Sequence, residues 1–228
     1  MPSIITINQF SPHYPRRLLD LVDAPKQIYC IGQVETLNKV GLAIVGSRKA
    51  SQEGIKQSYR FARDLSLEGF CIISGLAQGI DAAAHLGALE SGATHPTIAI
   101  CGSGLDTCYP RHHQPLFNEI AQKGLLLSEY PPGTGVKPFH FPKRNRLIAA
   151  LSVGTLVVEA TIKSGSLISA RQATNLGREV FAIPRSIEEQ GSEGCHYLIK
   201  DGAKLTQHIS DILDELQPYQ GFSLVKQV

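Results

Sequence analysis

The chain has 228 residues, 43% of them hydrophobic and 18% charged, and a formal net charge of +2. These values describe an ordinary globular protein, long enough for one sizeable core plus a short extension. They exclude a global electrostatic field as the basis of polyanion binding, so any such affinity must be local.

In chain order, residues 1–40 look distinct: 14–19 and 24–29 read as a short helix and an extended arm packed on a larger body. No basic region precedes a long apolar one at the N-terminus, and no apolar run reaches the length of a membrane span. From Gly41 a pattern recurs of apolar run, glycine-bearing turn and helical stretch. The runs are 41–46, 70–74, 96–101, 125–128, 154–159 and 179–184. They are short, β-branched and unalternating, as parallel strands covered on both faces should be. Helix-length segments cover 52–68, 78–91, 111–122, 143–152 and 165–176, the first with Ile55, Tyr59, Ala62 and Leu65 on one stripe. Strands alternating with helices predict an α/β fold, an extended Rossmann-like, doubly wound and mostly parallel sheet, over residues 41–216. In 207–216, Ile209, Ile212, Leu213 and Leu216 form a stripe that either covers the sheet or makes a subunit contact; 217–228 reads as a tail.

Open parallel sheets bind ligands beyond the carboxyl ends of their strands, and that is where the informative turns fall. They are Gly46-Ser47-Arg48, Ser74-Gly75-Leu76-Ala77-Gln78-Gly79-Ile80-Asp81, Gly102-Ser103-Gly104-Leu105-Asp106 and Ser164-Gly165-Ser166. Glycines permit close backbone approach, helix N-termini attract anions, and Arg48 can fork onto a phosphate. A further stretch, 137–148, sets Lys137, Lys143, Arg144 and Arg146 among Phe139, His140 and Phe141. No Asp or Glu lies between Glu129 and Glu159, so the cluster is expected to lack a local acidic partner. Cations beside flat rings suit single-stranded nucleic acid; the alternative is a solvated basic loop leading into a helix. Four such turns together with the basic stretch favour a polyanion crevice.

Other chemistries find little footing. The G-x-G of 102–104 has Thr107 where the dinucleotide fingerprint needs its third glycine, and no P-loop sequence occurs. The eight histidines show no metal-ligand spacing, and no serine or cysteine carries a signature of activation. Asp81 and His85, one helical turn apart, read as a cap and a local hydrogen bond rather than an acid–base pair. Five cysteines without a C-x-x-C pair, Cys71 and Cys101 within apolar runs, suggest core residues in a reducing compartment. The expectation is a cytoplasmic binding protein, not an enzyme, with no metal, cofactor or membrane association.

The turns just quoted, with Tyr109-Pro110, Ser128-Glu129-Tyr130-Pro131-Pro132-Gly133, Phe141 to Ala149 and Glu159-Ala160, resemble the DNA-processing protein A (DprA/Smf) family. The resemblance spans about residues 14–205, with six motifs in the family's order. It implies a sequence-independent single-stranded-DNA-binding domain, a homodimer, and transfer of incoming DNA to the RecA recombinase during natural transformation. On that reading Arg48, Lys137, Lys143, Arg144 and Arg146 contact phosphates, and Phe141 or Phe139 stacks on a base. Amides around Ser47, Gly75, Gly79, Ser164 and Gly165 hold backbone oxygens, and Asn145 bonds a phosphate, a base or the neighbouring turn. Replacing Lys143, Arg144 and Arg146 together is expected to leave the fold intact. Two departures stand out. Only a remnant of the family's N-terminal helical domain fits within 1–40, and 217–228 is too short for its winged helix, as in a naturally short or trimmed member.

Two rivals share the layout. Nucleoside-monophosphate phosphoribohydrolases are similar in fold but have a P-G-G-x-G-T-x-x-E motif, where this chain has Glu159-Ala160-Thr161-Ile162-Lys163-Ser164-Gly165-Ser166 and no further glutamate until Glu179. A nucleotide-sensing scaffold without DNA affinity is the other.

Overall fold

The computed structural model describes residues 3–220. The apolar runs form strands β3 (Gly41–Val45), β4 (Cys71–Ser74), β5 (Thr97–Cys101), β6 (Leu125–Ser128), β7 (Ser152–Val157) and β8 (Glu179–Ala182). Nearly every residue in them is buried, which explains the missing alternation: both faces of the sheet are covered. Between them lie α1 (Gln52–Leu67), α2 (Ile80–Glu90), α3 (Gln114–Lys123), α4 (His140–Leu151) and α5 (Gly165–Asn175).

Four further elements carry little or no sequence signal. These are the strands β1 (Ile5–Asn8), β2 (Gln27–Gly32) and β9 (Lys204–Leu205), and helix α6 (Glu193–Lys200). The sheet order is β1-β2-β6-β5-β4-β3-β7-β8-β9. It is parallel throughout except where β2 joins β6 and β1 joins β2, both antiparallel. The first forty residues therefore do more than rest on the body, because their two extended stretches widen its sheet. A 3-10 turn at Arg16–Asp20 lies between them, and Tyr14 donates its hydroxyl to the Pro25 carbonyl at 2.6 Å.

One face of the sheet is packed by α4, α5 and α6 through residues such as Leu147, Ile148, Leu167 and Leu198. The other is packed by α1 and α2 and by α7 (Ile209–Gln220), through Phe61, Leu65, Ala84, Ile212 and Leu216. The 207–216 stripe thus covers the sheet. The expected stripe of α1 is rotated: Ile55 is 42% exposed, whereas Ser58, Phe61, Ala62 and Leu65 are buried. Of the tail read over 217–228, residues 217–220 continue α7 and the rest lie outside the described residues.

From β3 the chain winds outward through β4, β5 and β6. It then returns across the sheet in α4 to place β7 on the opposite flank of β3. The carboxyl ends of β3 and β7 are the topological switch point, where the turns after two neighbouring strands diverge and leave a crevice.

Candidate nucleic-acid interface

A cavity of about 960 Å³ opens at that switch point. Its walls are the turn after β3 (Gly46, Ser47, Arg48) and the segment after β7 leading into α5 (Glu159, Ser164, Gly165); Phe141, Arg144 and Asn145 of α4 line it as well. Residues separated by more than a hundred positions thus share one cleft because the sheet reverses its winding there. Of the expected site residues, Ser47, Arg48, Phe141, Arg144, Asn145, Ser164 and Gly165 line the cavity, while Gly75, Gly79, Lys137, Lys143 and Arg146 do not.

Three turns hold the aromatic stretch in place. His140 Nδ1 donates to the Gly102 carbonyl at 2.9 Å, and its ring stacks on Tyr130 with centroids 4.0 Å apart. Ser128 Oγ donates to the Ser103 carbonyl at 2.7 Å. The Asp106 carboxylate receives the Gly133 amide at 2.9 Å. Gly102 lets the Phe141 ring lie over the β5 turn, since a Cβ there would sit 3.0 Å from Phe141 Cδ1. Arg48, exposed, places Cζ 5.5 Å from the Phe141 centroid. Lys137 and Phe139 form a second, outer pair at 5.9 Å, with Phe139 63% exposed.

The basic cluster is less uniform than its spacing suggests. Lys143 is half-exposed. Arg144 is buried, 4% exposed, and donates through Nη1 to the Ile100 carbonyl, so it acts as a positive floor to the cleft rather than as a surface cation. Burial lowers its pKa against the pull of Asp81. Arg146 is turned away altogether: it donates to Glu129 at 2.7 Å and to Asp23 at 2.8 Å. The cluster therefore has acidic partners, contrary to expectation. Glu129 meets Arg146 from the end of β6 and also lies 3.7 Å from Lys143. Arg146 joins α4 to the N-terminal segment, its guanidinium engaged by Glu129 and Asp23 and not lining the cleft, unlike the phosphate contact expected of it.

The amides also sort differently. Ser47 N–H donates to the Glu159 carbonyl at 2.7 Å, and Gly75 N–H donates to Asp81 Oδ2 at 3.1 Å, so both are spent within the chain. Gly75 is needed because a Cβ would overlap the Arg144 guanidinium. Gly79, at φ 80°, is needed because a Cβ would overlap the Ser47 carbonyl. Both glycines thus let neighbouring groups approach closely, the Arg144 guanidinium at Gly75 and the Ser47 carbonyl at Gly79. At α5, Ser164 caps its own helix through Ser166 N–H, and Asn145 Nδ2 donates to the Gly165 carbonyl at 3.2 Å, tying α4 to that helix start. The Gly165 amide stands at the first turn of α5, where the dipole favours an anion.

Asp81 caps its turn, accepting from Gly75 and Ala77, while His85 bonds elsewhere, to Thr97 Oγ1 at 2.7 Å. Burial raises the Asp81 pKa, with Arg144 and the two amides opposing. The Glu159 carboxylate accepts from Ser51 N and Oγ and pairs with Arg185 Nη1 at 3.2 Å. Arg185 and Ser51 also line the cavity, and neither stood out in the sequence. The signal for Arg185 was its place just beyond the carboxyl end of β8.

Residues 4–217 match the family model described as DNA recombination-mediator protein A. The chain belongs to that family. It is 45% identical over 204 residues to DNA processing protein DprA of Streptococcus pneumoniae, covering 90% of this chain and 71% of that protein. It is 44% identical to Protein Smf of Escherichia coli, covering 91% of this chain and 55% of that longer protein. In structure it matches DNA processing protein A from S. pneumoniae with a TM-score of 0.89 at 43% identity, covering 93% of this chain and 74% of that one. It matches the Helicobacter pylori protein, described for its single-stranded DNA binding mode, with a TM-score of 0.86 at 32% identity, covering 96% and 97%. More distant likenesses, such as a molybdenum cofactor binding protein from Rippkaea orientalis at 15% identity and TM-score 0.55, share the fold alone. Family membership thus rests on most of the chain, cleft included, and among the described residues no helix is long and apolar enough to cross a membrane.

Proposed function

We propose that the chain binds single-stranded DNA without sequence preference, that it acts without catalysis, and that it passes incoming DNA to the RecA recombinase in the cytoplasm during natural transformation, as a homodimer. The observation that supports the DNA reading most directly is the switch-point cleft, where exposed Arg48, the Phe141 ring and the buried Arg144 charge converge. Phosphates would be drawn by Arg48, Lys143 and Lys137, by the Gly165 amide and by the positive floor that Arg144 supplies, with the Ser47 and Ser164 hydroxyls beside them. Phe141 offers a face to a base. Every base has a π-face and every nucleotide a phosphate, so such a site reads backbone and stacking rather than sequence. Family membership supports the DNA-processing role, and the recombinase and dimer contacts follow from the family resemblance.

The test is a titration of fluorescent oligothymidylate and of the matching duplex at two salt concentrations. Preferential, salt-weakened binding of the single strand supports the reading. Equal affinity for the duplex, or release of adenine when the protein is incubated with AMP, counts against it.

A further inference from the structure

The wall of the cavity holds a buried carboxylate as well as a buried guanidinium. Asp81, on the first turn of α2, lines the cavity together with Arg144 and is 7% exposed. Gly75 lies between the two: its amide donates to Asp81 Oδ2 at 3.1 Å, and a Cβ on it would overlap Arg144 Nη1. The turn that separates them is pinned on both sides. Leu76 is buried at a φ of 57°, a left-handed conformation costly for a bulky side chain. Its carbonyl accepts from His113 Nδ1 at 3.0 Å, and the Ala77 amide reaches Asp81 Oδ2 at 3.4 Å. Among the described residues Arg144 meets no carboxylate directly: Nη1 donates to the neutral Ile100 carbonyl, and Nε is buried without a partner. Asp81 therefore acts on the guanidinium across the turn, in a wall where charges interact more strongly than in water. Burial disfavours the Arg144 charge, Asp81 sustains it, and Arg48 opposes it. His85 on the same helix, His113 beside Leu76, Cys101 at the end of β5 and Tyr130 beyond β6 are the other titratable groups that face the pair.

Resting on the single-stranded-DNA reading above, we propose that Asp81 is a positioning residue that moderates the cleft's grip: its carboxylate offsets the Arg144 charge, and the turn it holds sets where that charge stands. With Asp81 ionised, the floor of the cleft presents a charge pair. With Asp81 neutral, the floor presents an uncompensated cation. A protein that passes a strand on must also release it, and a buried counter-charge lowers affinity without removing any phosphate contact.

The experiment measures the oligothymidylate affinity of wild type, Asp81→Asn and Arg48→Ala as salt and pH are varied, with urea titration alongside. Asparagine keeps an oxygen for the Gly75 and Ala77 amides while removing the charge. Asp81→Asn should therefore bind about tenfold more tightly, the scale of one charge acting through a partly screened wall. Its salt slope should match that of wild type, because no phosphate contact is added. Wild-type affinity should rise as acid protonates Asp81, and rise more than that of Asp81→Asn over the same range, since the histidines titrate in both. An Asp81→Asn protein that binds no tighter than wild type would overturn the proposal, because the carboxylate would then only be holding the turn. Should that variant fail to fold, the wild-type profile decides: an affinity that does not rise in acid overturns the proposal. A weakened Arg48→Ala beside either of those results would leave the cleft reading standing, whereas an unaffected Arg48→Ala would remove the reading on which the proposal rests.

Discussion

The Arg48 guanidinium carbon stands 5.5 Å from the centroid of the Phe141 ring, joining the turn after β3 to the first turn of α4 across the mouth of the cleft. The pair puts a charge able to fork onto phosphate beside a face able to hold a base. Arg48 is exposed and shows no ion pair among the described residues. Arg48→Ala should therefore weaken oligothymidylate binding by about tenfold, one charge-assisted bond, without moving the thermal midpoint. Arg48→Lys should recover the charge but not the planar fork, and fall between the two. Fluorescence anisotropy with parallel denaturation measures both.

Arg146 should behave in the opposite way. Its side chain and that of Glu129 are both about nine-tenths buried and bonded at 2.7 Å. Removing one partner strands the other charge inside, so Arg146→Ala should cost about 3–5 kcal/mol of stability in urea titration. Arg146→Met combined with Glu129→Gln should cost much less. Neither should alter DNA affinity under conditions where the protein is folded. Replacing Lys143, Arg144 and Arg146 together would thus test the fold before it tested the interface, and Lys143→Ala alone is the informative change there.

Gly75→Ala tests the floor. The added methyl would meet the Arg144 guanidinium, which is itself buried and held by the Ile100 carbonyl. Overpacking of this kind costs about 1–3 kcal/mol. Because the displaced group is the cleft's buried charge, DNA affinity should fall as well. Ala at Gly133, where a Cβ meets nothing within 4 Å, strains only a φ of 83° and should leave binding unchanged, which makes it the control.

His85 should make stability sensitive to acid. The Thr97 hydroxyl donates to the Ile72 carbonyl at 2.6 Å, so it accepts from His85 Nδ1–H, and Nε2 is left buried without a partner among the described residues. Protonating Nε2 would place an unsolvated charge near Arg144. Burial first, then Arg144 and His113, push the pKa from 6.5 down to about 3. The unfolded chain takes up this proton more readily than the folded one, so the contribution is complete above pH 6.5 and is lost as pH falls toward 3. His85→Gln should remove that part of the acid-side slope in denaturation measured across the range.

Much of this architecture is legible in the residues. The six unbroken apolar runs became the central parallel strands within two residues at most of their expected bounds, because full burial on both faces leaves no alternation to misread. The glycine and hydroxyl turns appeared at the strand ends where an open sheet binds ligands. What escaped was tertiary. Arg146 meets Asp23 across 123 positions, a pairing that no local count of carboxylates could reveal. Gly75 and Gly79 announced close approach, but whether to a ligand or to Arg144 and Ser47 depends on how turns from different strands meet. β1 and β9 were missed for a simpler reason: strands of four and two residues at the sheet edges carry too little pattern.

The most direct test of the switch-point cleft is the affinity of the wild-type protein for oligothymidylate measured over a series of salt concentrations. A phosphate-gripping cleft predicts a linear fall of log K with log salt, with a slope of roughly −0.7 for each phosphate neutralised, and a shallower line for Arg48→Ala. An affinity indifferent to salt, or a slope that Arg48→Ala leaves unchanged, would contradict it.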